Sequence, residues 1–321
     1  MAGPVRDHGA AGLPQRDLFG IAVDALTMPQ AVSRCTEAVE RGTYLSVGVV
    51  NAAKVIAMRK SDSLRQAVAC CGMVLADGQS VVWASRMLGS PLPERVAGID
   101  LFLELLAQAT RRGYRVYFLG ARRDVLDRML VQVGSRYPGL AVAGARDGYF
   151  RPEQEPEVAA EIRRSGAHLL FVGMSSPRKE LFVSQWGDST QARVVHGVGG
   201  SFDVLAGFTQ RAPAWCQDHG LEWLYRAWQE PVRLGRRYLT TNLAFMTLVA
   251  REMMRRPAAG EVARSPAARE VTRRPAAGET ARQAGHVPLP RAAGASGPGR
   301  TAARSGGTTT RDAGMTVRNS R

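Results

Sequence analysis

Cysteine is scarce here. Cys35, Cys70, Cys71 and Cys216 are the only four in 321 residues. They form no CxxC pair and have no histidine at ligand spacing, which excludes a disulfide frame or a zinc site and reads as reduced thiols in a cytosolic protein. The five histidines, His8, His168, His196, His219 and His286, fall at no metal or triad spacing, so core or surface roles fit each. No apolar run approaches the roughly 20 residues of a membrane-spanning helix. Residues 1–16 are Gly, Ala, Pro and charge without the apolar core of a signal peptide, so the chain is expected on the cytoplasmic side. Two motifs are also missing: no GxGxxG marks a dinucleotide fold, and no DxD marks a carboxylate clamp for a metal-bound sugar donor. No metal and no cofactor is expected.

What is present is apolar content and positive charge. Hydrophobic residues make up 45% of the chain, and the net charge is +15. A charge of that size points to nucleic acid, an anionic membrane or a phosphorylated ligand. It is unevenly placed, because residues 257–321 hold eleven Arg against three Glu and one Asp. That tail of Ala, Pro, Gly, Arg and Thr, with the near-repeat Arg255–Glu261 and Arg273–Glu279, has too few large apolar side chains to offset the entropy of ordering. It is expected to be disordered, as is a leader over 1–16.

Residues 17–210 alternate short apolar runs with amphipathic ones, the rhythm of an α/β fold with a parallel sheet covered on both faces. Strands are expected at Leu18–Val23, Leu45–Val50, Met73–Ala76, Val116–Leu119, Ala141–Ala143, Leu169–Val172 and Val194–His196. Helices are expected at Gln30–Glu40, Leu64–Cys70, Val81–Leu88, Leu101–Arg111, Val125–Arg136, Val158–Arg164 and Arg178–Trp186. Residues 211–256 read as a helical appendage rich in Trp, Tyr and Arg.

Several turns at the carboxyl ends of these strands carry chemistry, and that edge is where open α/β sheets hold ligands. Asp77, before Gly78-Gln79, is a general base or a helix cap. Gly173 to Glu180 runs through Ser175-Ser176 into Pro177 at the first helical position, with Arg178 and Lys179 adding charge. Such a helix N-terminus suits a diphosphate, although an ordinary capped helix reads the same way. Gly197-Val198-Gly199-Gly200-Ser201-Phe202-Asp203 allows close backbone approach, with Asp203 an acceptor for a base or ribose; a structural turn is the rival. Phe118 to Arg123 is a turn with one glycine, better read as connection geometry.

Taken in order, Asn51, Leu75–Gly78, Leu92–Gly98, Phe118–Gly120, Asp147–Phe150, Phe171–Gly173 with Ser176-Pro177, Gly197–Gly207, Arg211–Pro213 and Leu221–Tyr238 resemble the WecG/TagA/CpsF glycosyltransferases over residues 17–250. The resemblance implies a Rossmann-like, mostly parallel core with a C-terminal helical appendage that completes the site. It implies inverting transfer of N-acetylmannosamine or its uronic acid from a UDP-sugar to polyprenyl-diphosphate-linked N-acetylglucosamine, in cell-surface polysaccharide synthesis. Asp77 matches the proposed catalytic base, Arg95 a site arginine, and Asp203 a nucleotide contact. Arg226, Arg233 and Arg236 match arginines that approach the diphosphate. Asn51, Ser176, Lys179, Gly199 and Gly200 complete the expected substrate-binding set. Two positions depart from the pattern: Val49 stands where many relatives have Thr, and Lys179 where many have Gln. A basic appendage whose residues 238–254 are apolar on one side fits an anionic membrane surface, with a core-packing or dimer helix as the alternative. Self-association stays open. The rival readings are a nucleic-acid-binding protein, against which the tail lacks interleaved aromatics, and a dinucleotide-dependent oxidoreductase, against which GxGxxG is missing.

Overall fold

The computed structural model describes residues 14–213, 215–216, 224–225 and 236–255, with the side chains of 236–239 left aside. All lie in one of the chain's two units, Met1–Ser265; the second, Pro266–Arg321, falls outside the described residues, as do residues 1–13 of the expected leader.

Six strands make one wholly parallel sheet: β3 (Leu45–Val50), β4 (Met73–Ala76), β5 (Val116–Gly120), β6 (Val142–Arg146), β7 (Leu169–Gly173) and β8 (Val194–Gly197), in spatial order β4-β3-β8-β7-β5-β6. The α/β reading therefore holds, with Rossmann-like layering. The strands are near-continuous apolar runs because helices cover both faces. Alternate residues divide cleanly. Val47 and Val49, Met73 and Leu75, Val116 and Phe118, and Leu169 and Phe171 face one core, packed against helices α1 (Met28–Arg41), α5 (Gly98–Arg112) and α6 (Arg123–Arg136). Val50, Val74 and Ala76 face a second core with α2 (Ala52–Met58), α3 (Asp62–Ala69) and α4 (Gln79–Met87). Tyr117, Leu119, Leu170, Val172 and Val195 face a third, against α7 (Glu155–Ser165) and α8 (Arg178–Trp186).

The helices start and stop where their ends are satisfied. Thr27 and Gln30 form a capping box for α1, and Gly42, Gly113 and Gly166 end α1, α5 and α7 in the left-handed conformation. Several elements differ from expectation, the end of the leader among them, since Gln15 and Arg16 are paired in a strand. Leu18–Val23 is not one strand but the hinge of an antiparallel hairpin, β1 (Gln15–Leu18) and β2 (Ile21–Asp24), turning at Phe19 and Gly20 with φ of 58° and 77°. Residues 52–58, unassigned from sequence, form α2, because the Asn51 side chain accepts from the Lys54 N–H and starts a helix directly off the strand.

The last described helix, α10 (Arg236–Arg255), follows the short α9 (Ser201–Leu205). One side of α10 buries Phe245, Leu248 and Val249 in the second core, with the Phe245 ring 5.3 Å from that of Phe19. The other side leaves Leu243, Met246, Met253 and Met254 exposed. The core-packing alternative thus accounts for half of this helix. Among the described residues no helix is long and apolar enough to cross a membrane.

Candidate active site

The connection leaving β3 turns into α2 on one face of the sheet, while that leaving β8 turns into α9 on the other, where Phe202 and Ala206 join the first core. Adjacent strands whose connections part to opposite faces leave a crevice at their carboxyl ends. A cavity of about 710 Å³ opens there. Its walls carry Asn51, Asp77, Arg95, Ser176, Lys179, Gly199 and Gly200, so seven of the eleven expected site residues converge on one space.

Asp77 is half-buried and held from two sides. Its Oδ1 accepts the Gly98 N–H at 2.8 Å, the first amide of α5, and its Oδ2 accepts from Asn51 Nδ2 at 3.3 Å. Asn51 can do both jobs because its Oδ1 is spent capping α2 while its amide nitrogen points at the carboxylate. Behind Gly98 lies His196, fully buried, whose Nε2 is 2.9 Å from the Gly98 carbonyl oxygen. Burial pushes the His196 pKa down to about 4, against the pull of that hydrogen bond, so the ring is neutral and Nε2–H is the donor. The chain of contacts His196–Gly98–Asp77 thus fixes the carboxylate from the core outward.

The same cavity is lined by cations, Arg95, Lys54 and Lys179. Arg95 lies 3.9 Å from Asp100, which also takes Arg211 at 2.6 Å on Oδ1 and 2.7 Å on Oδ2. Lys179, in the first turn of α8, threads past the Gly197–Gly199 turn. Gly199 has a φ of +56°, which favours glycine, and a Cβ there would also sit 3.0 Å from the Lys179 Nζ. Beneath it, Lys54 Nζ from α2 meets Glu180 Oε1 at 2.6 Å, and Lys179 Nζ lies 3.6 Å from the same oxygen. Burial and the Lys54 ammonium push Lys179 down to about 8, against the pull of Glu180 and Asp77. Burial alone would raise Glu180, but the two lysines hold it below the ordinary carboxylate value.

Some expectations need correction. Arg178 adds no charge to the cavity: its guanidinium donates to the Gly148 carbonyl at 2.9 Å and to that of Phe150, and lies over the Phe150 ring at 4.5 Å. Helix α8 spans Arg178–Trp186 as expected, but Pro177 is its cap, after a cis Ser176–Pro177 bond, and not its first helical residue. Asp203, in the first turn of α9, does not line the cavity. Arg226 and Arg233 lie outside the described residues, and Arg236 is described only as the backbone that opens α10. From that helix Thr241 and Asn242 line the cavity instead. Lys54, Glu180, His196, Asp100 and Arg211 were not singled out as site groups. A lysine three residues past a capping Asn, and a Lys-Glu pair opening a helix beside a glycine turn, are the signals available for two of these positions.

Residues 16–259 match the model of the family described as Glycosyl transferase WecG/TagA/CpsF family. One relative, from Bacillus spizizenii (strain ATCC 23059 / NRRL B-14472 / W23), is 38% identical over 163 residues, 51% of this chain and 63% of its own length, so the match spans under two thirds of that protein. Another, from Bacillus subtilis (strain 168), is 32% identical over 210 residues, 65% of this chain and 81% of its own length. Both are named N-acetylglucosaminyldiphosphoundecaprenol N-acetyl-beta-D-mannosaminyltransferase. The family match covers the sheet, the cavity and α10 alike: this chain belongs to the WecG/TagA/CpsF family of glycosyl transferases.

Proposed function

We propose that the protein transfers an N-acetylmannosamine-type sugar from UDP to the N-acetylglucosamine of a polyprenyl-diphosphate-linked acceptor, with inversion at the anomeric carbon. The observation that carries this is the convergence on one cavity of an oriented carboxylate, Asp77, with the cations Lys179 and Arg95. In the reaction Asp77 takes the proton of an acceptor hydroxyl as its oxygen attacks the anomeric carbon. The bond to the UDP oxygen breaks, and UDP departs with the electron pair. The leaving diphosphate gathers negative charge, which Arg95, Lys179 and the amides of the Gly197–Gly200 turn and the α8 N-terminus can receive without a metal. Arg226, Arg233 and Arg236 would close on the diphosphate from the appendage.

The acceptor names a place for the protein as well. Leu243, Met246, Met253 and Met254 line the exposed side of α10, with Arg251 and Arg255 also exposed. Such a face supports peripheral contact with an anionic membrane on its cytoplasmic side. The deciding experiment screens the full chain against UDP-sugars with a short-chain lipid-diphosphate N-acetylglucosamine acceptor. Transfer of an N-acetylmannosamine-type sugar is expected, lost when Arg226, Arg233 and Arg236 are replaced together by Ala. No transfer from any UDP-sugar overturns the reading.

A further inference from the structure

Two ammonium groups share one carboxylate beneath the cavity. Lys54, Lys179 and Glu180 are 7%, 9% and 7% exposed, so solvent does little to settle their charges. Lys54 is closely paired at 2.6 Å, whereas Lys179 stands off at 3.6 Å from the same oxygen. The other carboxylate oxygen, Oε2, is buried without a hydrogen-bond partner and aims at neither amine for bonding. Both lysines line the cavity and Glu180 does not. The three charges therefore sum to one positive charge, and its free end is Lys179. The remaining titratable groups around Lys179 are Asp77, across the β4 end, and His196 on β8. Asp77 is already engaged by Gly98 and Asn51, and His196 is neutral. A buried ammonium so poorly matched is costly in its charged form, and an anion placed against it removes that cost.

Resting on the donor reading above, we infer that Lys179 is a proton-linked anion receptor: it binds an anionic oxygen of the donor, phosphate or sugar carboxylate, and takes up a proton as the donor arrives. The Lys54–Glu180 pair is the fixed base on which it stands, and the Gly199 turn is the gap through which the amine reaches the ligand. Its empty-site pKa of about 8 leaves it partly neutral under ordinary conditions, and a bound anion restores the charge. Chains with Gln at this position have no such titration, so the coupling of donor binding to pH is a property of the lysine.

The test is calorimetric titration of the full-length protein with UDP and with UDP-N-acetylmannosaminuronate, each in two buffers of different ionisation enthalpy. At pH 8 we expect uptake of about half a proton per nucleotide, and between pH 7 and pH 9 an affinity loss of about tenfold. K179Q and K179M should bind with pH-independent affinity and without that uptake. Uptake with UDP itself identifies the diphosphate as the partner; uptake with the uronate alone identifies the sugar carboxylate. Wild-type affinity that is flat from pH 7 to pH 9, or uptake retained in both variants, overturns this inference and leaves the donor reading standing. Failure of either nucleotide to bind the wild type overturns both.

Discussion

Arg178 and Lys179 are neighbours in sequence with opposite fates, and they mark two halves of the sheet's carboxyl edge. Beyond β5, β6 and β7 the charges are closed on the protein itself. Arg178 is spent on the Gly148 and Phe150 carbonyls and the Phe150 ring, while Glu161 takes both Arg146 and the Tyr117 hydroxyl, the latter at 2.6 Å. Beyond β3, β4 and β8 the charges face a cavity and are incompletely matched. Successive helix residues point about 100° apart, so the first turn of α8 sends one cation to each half. On the proposed function, the closed half serves rigidity and the open half a ligand. Changes in the open half should therefore cost activity, and changes in the closed half stability.

The largest effect that sharpens this division is expected from Asp77→Asn. The amide keeps the shape and an acceptor for the Gly98 N–H but cannot take a proton, so turnover should fall by roughly 100- to 10,000-fold. Urea unfolding of the variant should show a loss of only about 1 kcal/mol, because the amide gives up the hydrogen bond from Asn51. Transfer rates near wild type would remove Asp77 as the base.

Beneath both halves, in the first core, Phe202 is fully buried among Phe102, Phe118 and Phe171, with centroid separations of 5.9 Å to Phe102 and to Phe118. Gly173 exists in its present form because of that ring: a Cβ there would come within 2.4 Å of it. Phe202→Ala should cost about 3–5 kcal/mol in urea unfolding. Because α9 also leads from the Gly197–Gly200 turn, some loss of activity will follow at denaturing temperatures, but not at 20 °C. A variant of wild-type stability would show that the four-ring cluster is not what fastens α9 to the sheet.

How much of this division could be read from the residues alone depends on the distance over which it is made. β3 and β4 were legible to the residue, since a strand buried on both faces is an uninterrupted apolar run. Helix α2 was not, because its Ala-Ala-Lys-Val-Ile-Ala-Met continues the apolar run of β3, and only the Asn51 cap marks the change. The hairpin at Phe19-Gly20 was hidden for the same reason, one apolar stretch serving two strands. Asp77 and Lys179 were marked by their strand-end turns, Asn51 and Arg95 by resemblance, and the geometry brings all four together. The Lys54–Glu180 pair spans 126 residues, and nothing local to either announces it. Arg178 was misassigned because a cation at a helix N-terminus looks the same from sequence whether it turns to a ligand or to a carbonyl.

Lys179→Gln breaks the comparison more gently. The folded-state pKa of about 8 lies below the ordinary 10.5, so the unfolded chain binds more protons between those values and stability rises across that window. Below pH 8 the penalty of the buried charge is fully present. The Gln variant should therefore be more stable than wild type at pH 7, by on the order of 1–3 kcal/mol, and the gain should vanish above pH 10. Urea midpoints at the two pH values measure it; a variant less stable at pH 7 would mean that Glu180 needs both lysines.

The smallest effect is expected from Arg178→Gln, the neighbour one residue away. If the closed half is indeed closed, this loss of a full positive charge at the mouth of α8 changes nucleotide affinity and its salt dependence very little, since the charge is already taken up by two carbonyls and a ring. What it removes is the clasp on the Gly148–Phe150 loop. Hydrogen bonds from a charged donor are worth about 1.5–3 kcal/mol when fully buried, and Arg178 is only half-buried, so about 1 kcal/mol of stability is the expected loss. Glutamine can still donate to one of the two carbonyls, which lowers the figure further. Amide exchange should report the change locally, with faster exchange over residues 147–150 and none added over 51–58 or 197–201. A steep fall in UDP affinity, larger at low salt than at high, would place Arg178 on the ligand side and erase the boundary between the two halves.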